Sequence, residues 1–445
     1  MLVGASQSMR IVYLTQVWPE PRSSAAGLRS WNVIRALRSN ELVVASAATN
    51  EPARLELEQA GVQTQAVSLN RSCFDDWIQS FDPTVVIFDR FLLEEQFGAR
   101  VAAKCPNAAR ILDTIDLHFL RRARQSGATD WRTEDAYREL ASIFRCDHTW
   151  VVSDFEYRLL SQEAQVPSEL LSVSRLSPDR AGATALPHES RQHFASIGNF
   201  RHPPNLDSAR WLKREVWPLV RRALPGAELH LFGAYPSREV MEMNQPGEGF
   251  FVDGPAPHAV STLGRFRVTL APLRFGAGIK GKILDGWSAG TPVVTTPVGS
   301  EGMSAEWPFP GLVAGSAQQI AEEAVRLHED QTLWSRVQGA GYELLDRLYG
   351  ADVIEKGIAQ QVELTVRNLP ALRAQNLVGR ILELATTRST LYFSRWIEAK
   401  EKLIALNASL AAESHGGLGS HSSEAHSGET SFAKSPVTVV DSQPQ

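Results

Sequence analysis

Val268-Thr-Leu-Ala-Pro-Leu-Arg-Phe-Gly-Ala-Gly-Ile-Lys-Gly-Lys-Ile-Leu-Asp285 passes from an apolar, strand-like run into a loop with three glycines, and from there into a helical pattern. Glycine lets the backbone come close to a ligand, and the free N–H groups of a helix start favour an anion. Arg274, Lys280 and Lys282 share this turn, and no acidic residue precedes Asp285. The chemistry indicated is a diphosphate site built on Gly276 and Gly278 with those three cations. Two other fingerprints fit the same residues less well. Gly276-Ala-Gly-Ile-Lys-Gly281 satisfies the dinucleotide pattern GxGxxG, with Glu301 at the spacing of its ribose acid, yet that turn normally follows a unit's first strand. Gly276 to Lys282 is nearly a P-loop, but Ile283 stands where Ser or Thr must hold Mg²⁺. The plainest alternative is a structural glycine turn with solvated lysines.

On both sides of this segment, short β-branched runs alternate with stretches of 3.6-residue periodicity. In the first half the strand-like runs are 11–16, 42–47, 62–68, 84–89, 110–113 and 148–153, with helical patterns at 28–37 and 155–163. After a low-signal linker at 177–190 the alternation starts afresh, with strands at 193–197, 228–232, 249–252, 268–272 and 292–296. A long helix is expected over 205–224, where Leu206, Ala209, Leu212, Val216, Leu219 and Ala223 form one apolar stripe and Pro218 imposes a kink. Such alternation specifies α/β architecture, with parallel sheets covered on both faces. Two tandem Rossmann-like, doubly wound domains follow, facing a cleft at the carboxyl ends of their strands, where such folds place ligands. The expected divisions are an extension at 1–8, a first domain at 9–180, a second at 190–350, a helical extension at 351–412 and a disordered tail at 413–445.

In the extension, helices are expected at 353–366, 371–385 and 390–411. Phe393, Trp396, Ile397, Leu403, Ile404 and Leu410 lie on one side of the last. A one-sided stripe is most simply buried within the chain; a membrane surface or self-association through 371–412 is the other use for it.

Composition narrows the function classes. The chain has 445 residues, 43% hydrophobic, with 45 Lys and Arg against 50 Asp and Glu, a net charge of −5. That balance gives no electrostatic footprint for nucleic acid, so any anion site is local. Cys73, Cys105 and Cys146 are widely spaced and form no framework, which suits buried, reduced thiols. No run approaches the roughly 20 apolar residues of a membrane span, and residues 1–8 lack the basic flank and apolar core of a signal peptide. The expectation is a cytoplasmic protein.

The residues 270–285, followed by Gly290-Thr-Pro-Val-Val-Thr-Thr and Gly299-Ser-Glu-Gly302, resemble the family 4 retaining glycosyltransferases of the GT-B fold. Ile197-Gly-Asn-Phe with Pro204-Asn205, and Ala227-Glu-Leu-His-Leu-Phe-Gly233, match the start of that family's donor domain in order. Gly27 and Arg29, and Asp113-Thr-Ile-Asp-Leu-His118, fit its acceptor domain more loosely. The resemblance spans 9–349. It implies transfer of a sugar from a nucleotide diphosphate to a sugar, lipid-linked or protein acceptor. Retention at the anomeric carbon is implied too, with no metal and no cofactor beyond the nucleotide sugar itself.

The resemblance also implies roles. Gly27, Gly198, Arg274, Gly276, Gly278, Lys280, Lys282 and Asp285 would bind the donor, with Lys282 on the phosphates and Asp285, in place of the family's glutamate, on the ribose. His118 and Asp116 would be catalytic; Ile115 stands where relatives carry a histidine. Asp89 and Arg90 at a strand end face the cleft, as acceptor contacts or as a structural ion pair. Gly286 and Trp287 replace the small helix formers usual there, which leaves a non-catalytic GT-B scaffold as the main rival. A sugar-nucleotide epimerase and a dehydrogenase stand behind it.

Overall fold

The computed structural model describes residues 8–178 and 186–416. Seven strands make the first sheet: β1 Arg10–Thr15, β2 Glu41–Ser46, β3 Gln63–Ala66, β4 Val85–Asp89, β5 Ala109–Asp113, β6 His148–Val151 and β7 Leu171–Val173. Their order is β3-β2-β1-β4-β5-β6-β7, with every pairing parallel. Six strands make the second: β8 Gln192–Ile197, β9 Leu229–Phe232, β10 Phe250–Gly254, β11 Phe266–Ala271, β12 Val293–Thr295 and β13 Leu312–Val313. Its order, β10-β9-β8-β11-β12-β13, repeats the same winding. The central strands are apolar on both faces because helices cover both. Winding reverses between β1 and β4 and between β8 and β11, so each sheet opens a crevice at its carboxyl edge. Every strand expected from the sequence is present within a few residues. β7 and β13 were not foreseen, since runs this short carry no periodicity.

The helix expected over 205–224 is real but composite. Pro203–Trp211 leads through one turn of π-helix, Leu212–Val216, into Trp217–Ala223. Pro218 lacks an N–H and its ring would strike the Arg214 carbonyl, so a wider turn precedes it instead of a simple kink. The stripe survives: Ala209, Leu212 and Val216 are buried in the second domain's core beside Phe194 and Leu229.

The C-terminal helices depart further from expectation. Ala351–Gln375 is continuous through Pro370, and Leu377–Gly416 runs unbroken across the gap expected at 386–389. The break falls at Asn376, whose Oδ1 accepts from Gly379 N at 2.8 Å while its Nδ2 donates to the Phe144 carbonyl at 2.7 Å. A Cβ on Gly379 would lie 2.1 Å from that carbonyl oxygen, so only glycine lets the helix start press there. Ala351–Gln375 does not extend the second domain. Its Ile354, Ile358 and Val362 complete the core of the first, against Ile11, Tyr13 and Val33, and Glu355 pairs with Arg35 Nε at 2.9 Å.

Residues up to Arg395 form one compact unit, and the helix from Trp396 forms another. The stripe expected to be buried is largely exposed, Phe393 by 61% and Trp396 by 56%. Cys73 is likewise exposed, whereas Cys105 and Cys146 are buried. No helix of the described residues is long and apolar enough to cross a membrane. Residues 1–7, 179–185 of the linker and 417–445, which take in most of the expected extension and tail, lie outside the described residues, while 413–416, expected in the tail, continue the last helix.

One buried ion pair organises the first domain. Arg29 and Asp113 are 1% and 0% exposed and meet at 2.9 Å. Arg29 also donates to the Arg175 carbonyl and to Ser174 Oγ, each at 3.0 Å. It thereby ties the helix Ala25–Leu37 to the end of β5 and to the chain leaving β7. Asp113→Ala would strand a buried guanidinium. We expect a loss of about 3–5 kcal/mol in denaturant unfolding; a loss under about 1 kcal/mol would show that the pair is incidental.

Candidate active site

The second domain's wall of the cleft begins where β11 ends. From Ala271 the chain runs through the glycine loop into the helix Gly281–Ser288, capped by Lys280. Gly278 has φ +69°, and a Cβ there would lie 2.8 Å from Asp116 Cβ and 3.1 Å from the Ile115 carbonyl oxygen. Only glycine accepts both that backbone and that approach. Gly281 is equally close to the first domain, its would-be Cβ 2.8 Å from Cβ of Ala25. Two helix N-termini, each with free N–H groups and a positive dipole end, thus meet across the cleft.

The three cations of the loop have different fates. Burial lowers Lys282 to about 8, with Asp285 one turn on acting the other way. Lys282 faces the cleft: desolvation first, then Arg121, Lys282 and Arg90, hold His202 down to about 4 despite Asp116. Burial also lowers Lys280 to about 8 against the pull of Glu301 and Glu156, and its Nζ donates to the Glu301 carbonyl at 3.1 Å. Arg274 is drawn away from the loop. It grips Asp207 with two nitrogens and lies 5.5 Å from the centre of the Trp211 ring. Gly198 closes β8 with a would-be Cβ 2.7 Å from the Asn205 side chain. Gly27 makes room for the Glu20 carbonyl, whose oxygen would lie 2.1 Å from a Cβ there. Both glycines therefore serve close packing at the rim, Gly27 against backbone and Gly198 against a side chain.

The first domain's wall is made of strand ends. Arg90 after β4 and Ile115 after β5 have φ +72° and +62°. For a β-branched residue this is strained, by about 1–3 kcal/mol. Ile115 presents Asp116, which accepts from Arg121 Nε at 2.7 Å and lies 3.3 Å from His118 Nε2. Burial opposes ionisation of Asp116, yet Arg121 holds its carboxyl well below the usual carboxylate range. Burial drives His118 down to about 3, Asp116 notwithstanding, so the imidazole is neutral at physiological pH. Its ring meets Phe91 edge-on at 5.6 Å, and its Nδ1 has no partner among the described residues. Asp89 and Arg90 pair with each other at 3.1 Å and with Gln16 of the β1 end. Burial pushes the Asp89 carboxyl up.

Three residues not singled out as site groups tie the walls together. Arg124 donates to the Gly276 carbonyl at 2.9 Å and clamps Glu301 with two bonds of 2.7 and 2.9 Å. Arg121, through Asp116, and Arg124, through the Gly276 carbonyl, are thus committed to the cleft. Glu301, the apparent ribose acid of a dinucleotide site, is consumed by Arg124. Glu156, buried on the first domain, accepts from Gly278 N at 2.9 Å. Its only sequence signal is Ser153-Asp-Phe-Glu156 after a strand, the pattern of a capping box. Ser153 Oγ does accept from Glu156 N at 3.2 Å, but the carboxylate reaches elsewhere.

Residues 191–330 match the family model of glycosyl transferases group 1. No curated protein matches the chain. Among solved structures, Anabaena HepE in complex with UDP and glucose superposes with a TM-score of 0.62 at 12% identity, over 80% of this chain and 99% of that one. Sucrose-phosphate synthase from Thermosynechococcus elongatus gives 0.62 at 14%, over 81% and 99%. TarM of S. aureus, in complex with fondaparinux, α-GlcNAc-glycerol and UDP, gives 0.53 at 12%, over 66% and 58%. At these identities the likeness is one of fold. The chain thus has the two-domain GT-B fold of these glycosyltransferase structures, and its residues 191–330 match glycosyl transferases group 1.

Proposed function

We propose that the protein transfers a glycosyl group from a UDP-sugar to a sugar or polyol hydroxyl, with retention at the anomeric carbon and without a bound metal. The observation that carries this reading is that the matched segment contains the glycine loop and the helix start lining the cleft. The UDP complexes of HepE and TarM support uridine as the base.

As the bond from the anomeric carbon to the diphosphate breaks, negative charge gathers on the leaving phosphate. Lys282 and the N–H groups of Gly281–Ser288 stand ready to stabilise it without reorganisation. Asp285, at i+3 from Lys282 on the same helix side, takes the ribose hydroxyls. The acceptor oxygen bonds to the anomeric carbon, and its proton leaves on the departing phosphate. Asp116, held ionised by Arg121, is too acidic to take that proton, and His118 is too desolvated. These two orient sugar hydroxyls instead.

Gly286 and Trp287 do not argue for a dead site. A Cβ on Gly286 would lie 2.8 Å from Val293 Cγ2, and buried Trp287 donates to the Pro310 carbonyl at 2.8 Å. Packing against β12 accounts for the glycine, and the Phe309–Pro310 chain accounts for the tryptophan.

Lys282→Ala should weaken UDP binding in calorimetry by about 1.5–3 kcal/mol, one charged hydrogen bond. UDP-glucose and related donors should release UDP slowly with the wild type and not with this variant; equal affinity in the two proteins would sink the assignment. Since bound diphosphate favours the ammonium, UDP affinity should decline as pH rises past the Lys282 value of about 8, approaching tenfold per pH unit. Lys282→Arg should flatten that limb. Gly278→Ala would push the cleft walls apart: transfer should fall on the order of 100-fold, and UDP affinity should fall with it. Unimpaired transfer would mean that the close approach is dispensable.

A further inference from the structure

Glu156 lies on the helix Asp154–Arg158, directly after β6, and is 1% exposed. Its Oε1 accepts from Leu117 N at 3.2 Å and from Gly278 N at 2.9 Å, and its Oε2 from Val152 N at 3.4 Å. Two of these donors belong to the first domain, at the turn carrying Asp116 and at the end of β6. The third is the residue of the second domain's loop that stands closest to that turn. One carboxyl group therefore bonds to both walls of the cleft at their point of nearest approach.

We propose that Glu156 is a positioning residue that fastens the 276–282 loop to the first domain, so that the loop takes its diphosphate-binding shape only in the closed cleft. This deepens the transferase reading and rests on it for the link to the donor. The fastening itself is a property of the two domains without ligand.

The surroundings make the fastening responsive to protons. Burial, then Asp116, raises Glu156 to about 7, while the amides of Leu117 and Val152, and Lys280 from the loop, act the other way. Glu139, buried on the helix Glu134–Arg145 and itself raised by burial, is a further acid facing this group. Arg124 and Glu301 neutralise each other beside Lys280. Part of the burial comes from the loop, so opening the cleft returns the carboxyl toward its ordinary value. The closed form thus binds the proton more tightly. Closure is favoured below that ordinary value and loses this advantage as pH rises through about 7. If opening reset the group fully, the closed-to-open ratio would fall about tenfold from pH 6 to pH 8. Oε1, which holds the Gly278 amide, keeps its lone pairs when Oε2 carries the proton.

The test reads domain separation without any substrate. Spin labels go on Glu56→Cys and Glu322→Cys, one exposed position in each domain, in a Cys73→Ser background. Pulsed dipolar spectroscopy from pH 6 to pH 8.5 should show a growing long-distance population in the otherwise unchanged protein. Glu156→Gln, a neutral isostere, should stay closed with no pH dependence; Glu156→Ala should be open throughout. Circular dichroism confirms that each variant is folded. Identical distance distributions in all three, or a pH response that persists in Glu156→Gln, would overturn the proposal. UDP calorimetry on the same proteins separates the two readings. If the distances behave as expected but no variant binds UDP, the fastening stands and the donor assignment falls. If UDP binds equally to all three, the fastening does not shape the loop.

Discussion

Backbone meets backbone where Gly278 passes the Ile115–Asp116 turn, and the geometry of the cleft depends on that contact. No side chain fits between the two walls there, so the glycine loop, the strained end of β5 and the Arg121–Asp116–His118 cluster are brought into one small volume. The second domain's side of the same interface is padded by apolar groups: Val152 and Leu176 from the first domain pack with Ile279, Ile283, Leu284 and Met303 from the second. Apolar burial supplies attraction without direction. The hydrogen bonds of Glu156 and Arg124 set the register in which it acts.

Charge is partitioned across this interface. Acids dominate the first wall, with Asp89, Asp113, Asp116, Glu139 and Glu156 all near the carboxyl edge of one sheet. On the second wall Lys280 and Lys282 stand at a helix start, beside Glu301 and Asp285. Each acid is held by an arginine or by backbone amides; Glu139 accepts the N–H groups of His118 and Phe119 at 3.3 and 3.0 Å. Lys282 differs, because its cost of burial is offset by little beyond Asp285. A half-buried cation in that position is an anion site in waiting, and it is the group whose charge a diphosphate would most stabilise.

The sheets were legible because strands buried on both faces must be apolar along their length, and the glycine loop because closely spaced Gly and Lys have few structural uses. What escaped was anything decided by a distant partner. Arg274 reads as a phosphate cation until Asp207, on another helix, is seen to hold it. Glu156 reads as a helix cap, since Leu117 and Gly278 lie far from it in sequence. The C-terminal helices were misdivided because Pro370 and the residues near 386–389 look like breaks. The real break is fixed at Asn376 by a carbonyl of the first domain. Composition alone cannot show such a constraint.

The return of Ala351–Gln375 to the first sheet makes that domain discontinuous along the chain. On the ribosome, Ile11, Tyr13, Val33 and their neighbours emerge early. The helix that covers them is made only after the whole second domain. For that interval one face of a parallel sheet is only partly covered, by the helices that carry Val33 and Leu57, a condition in which nascent chains invite chaperones or aggregate. Neither half is then a module that can be cut out at the linker: a fragment ending near 178 would carry a partly uncovered apolar face, and one beginning near 190 would carry a helix with nothing to pack on.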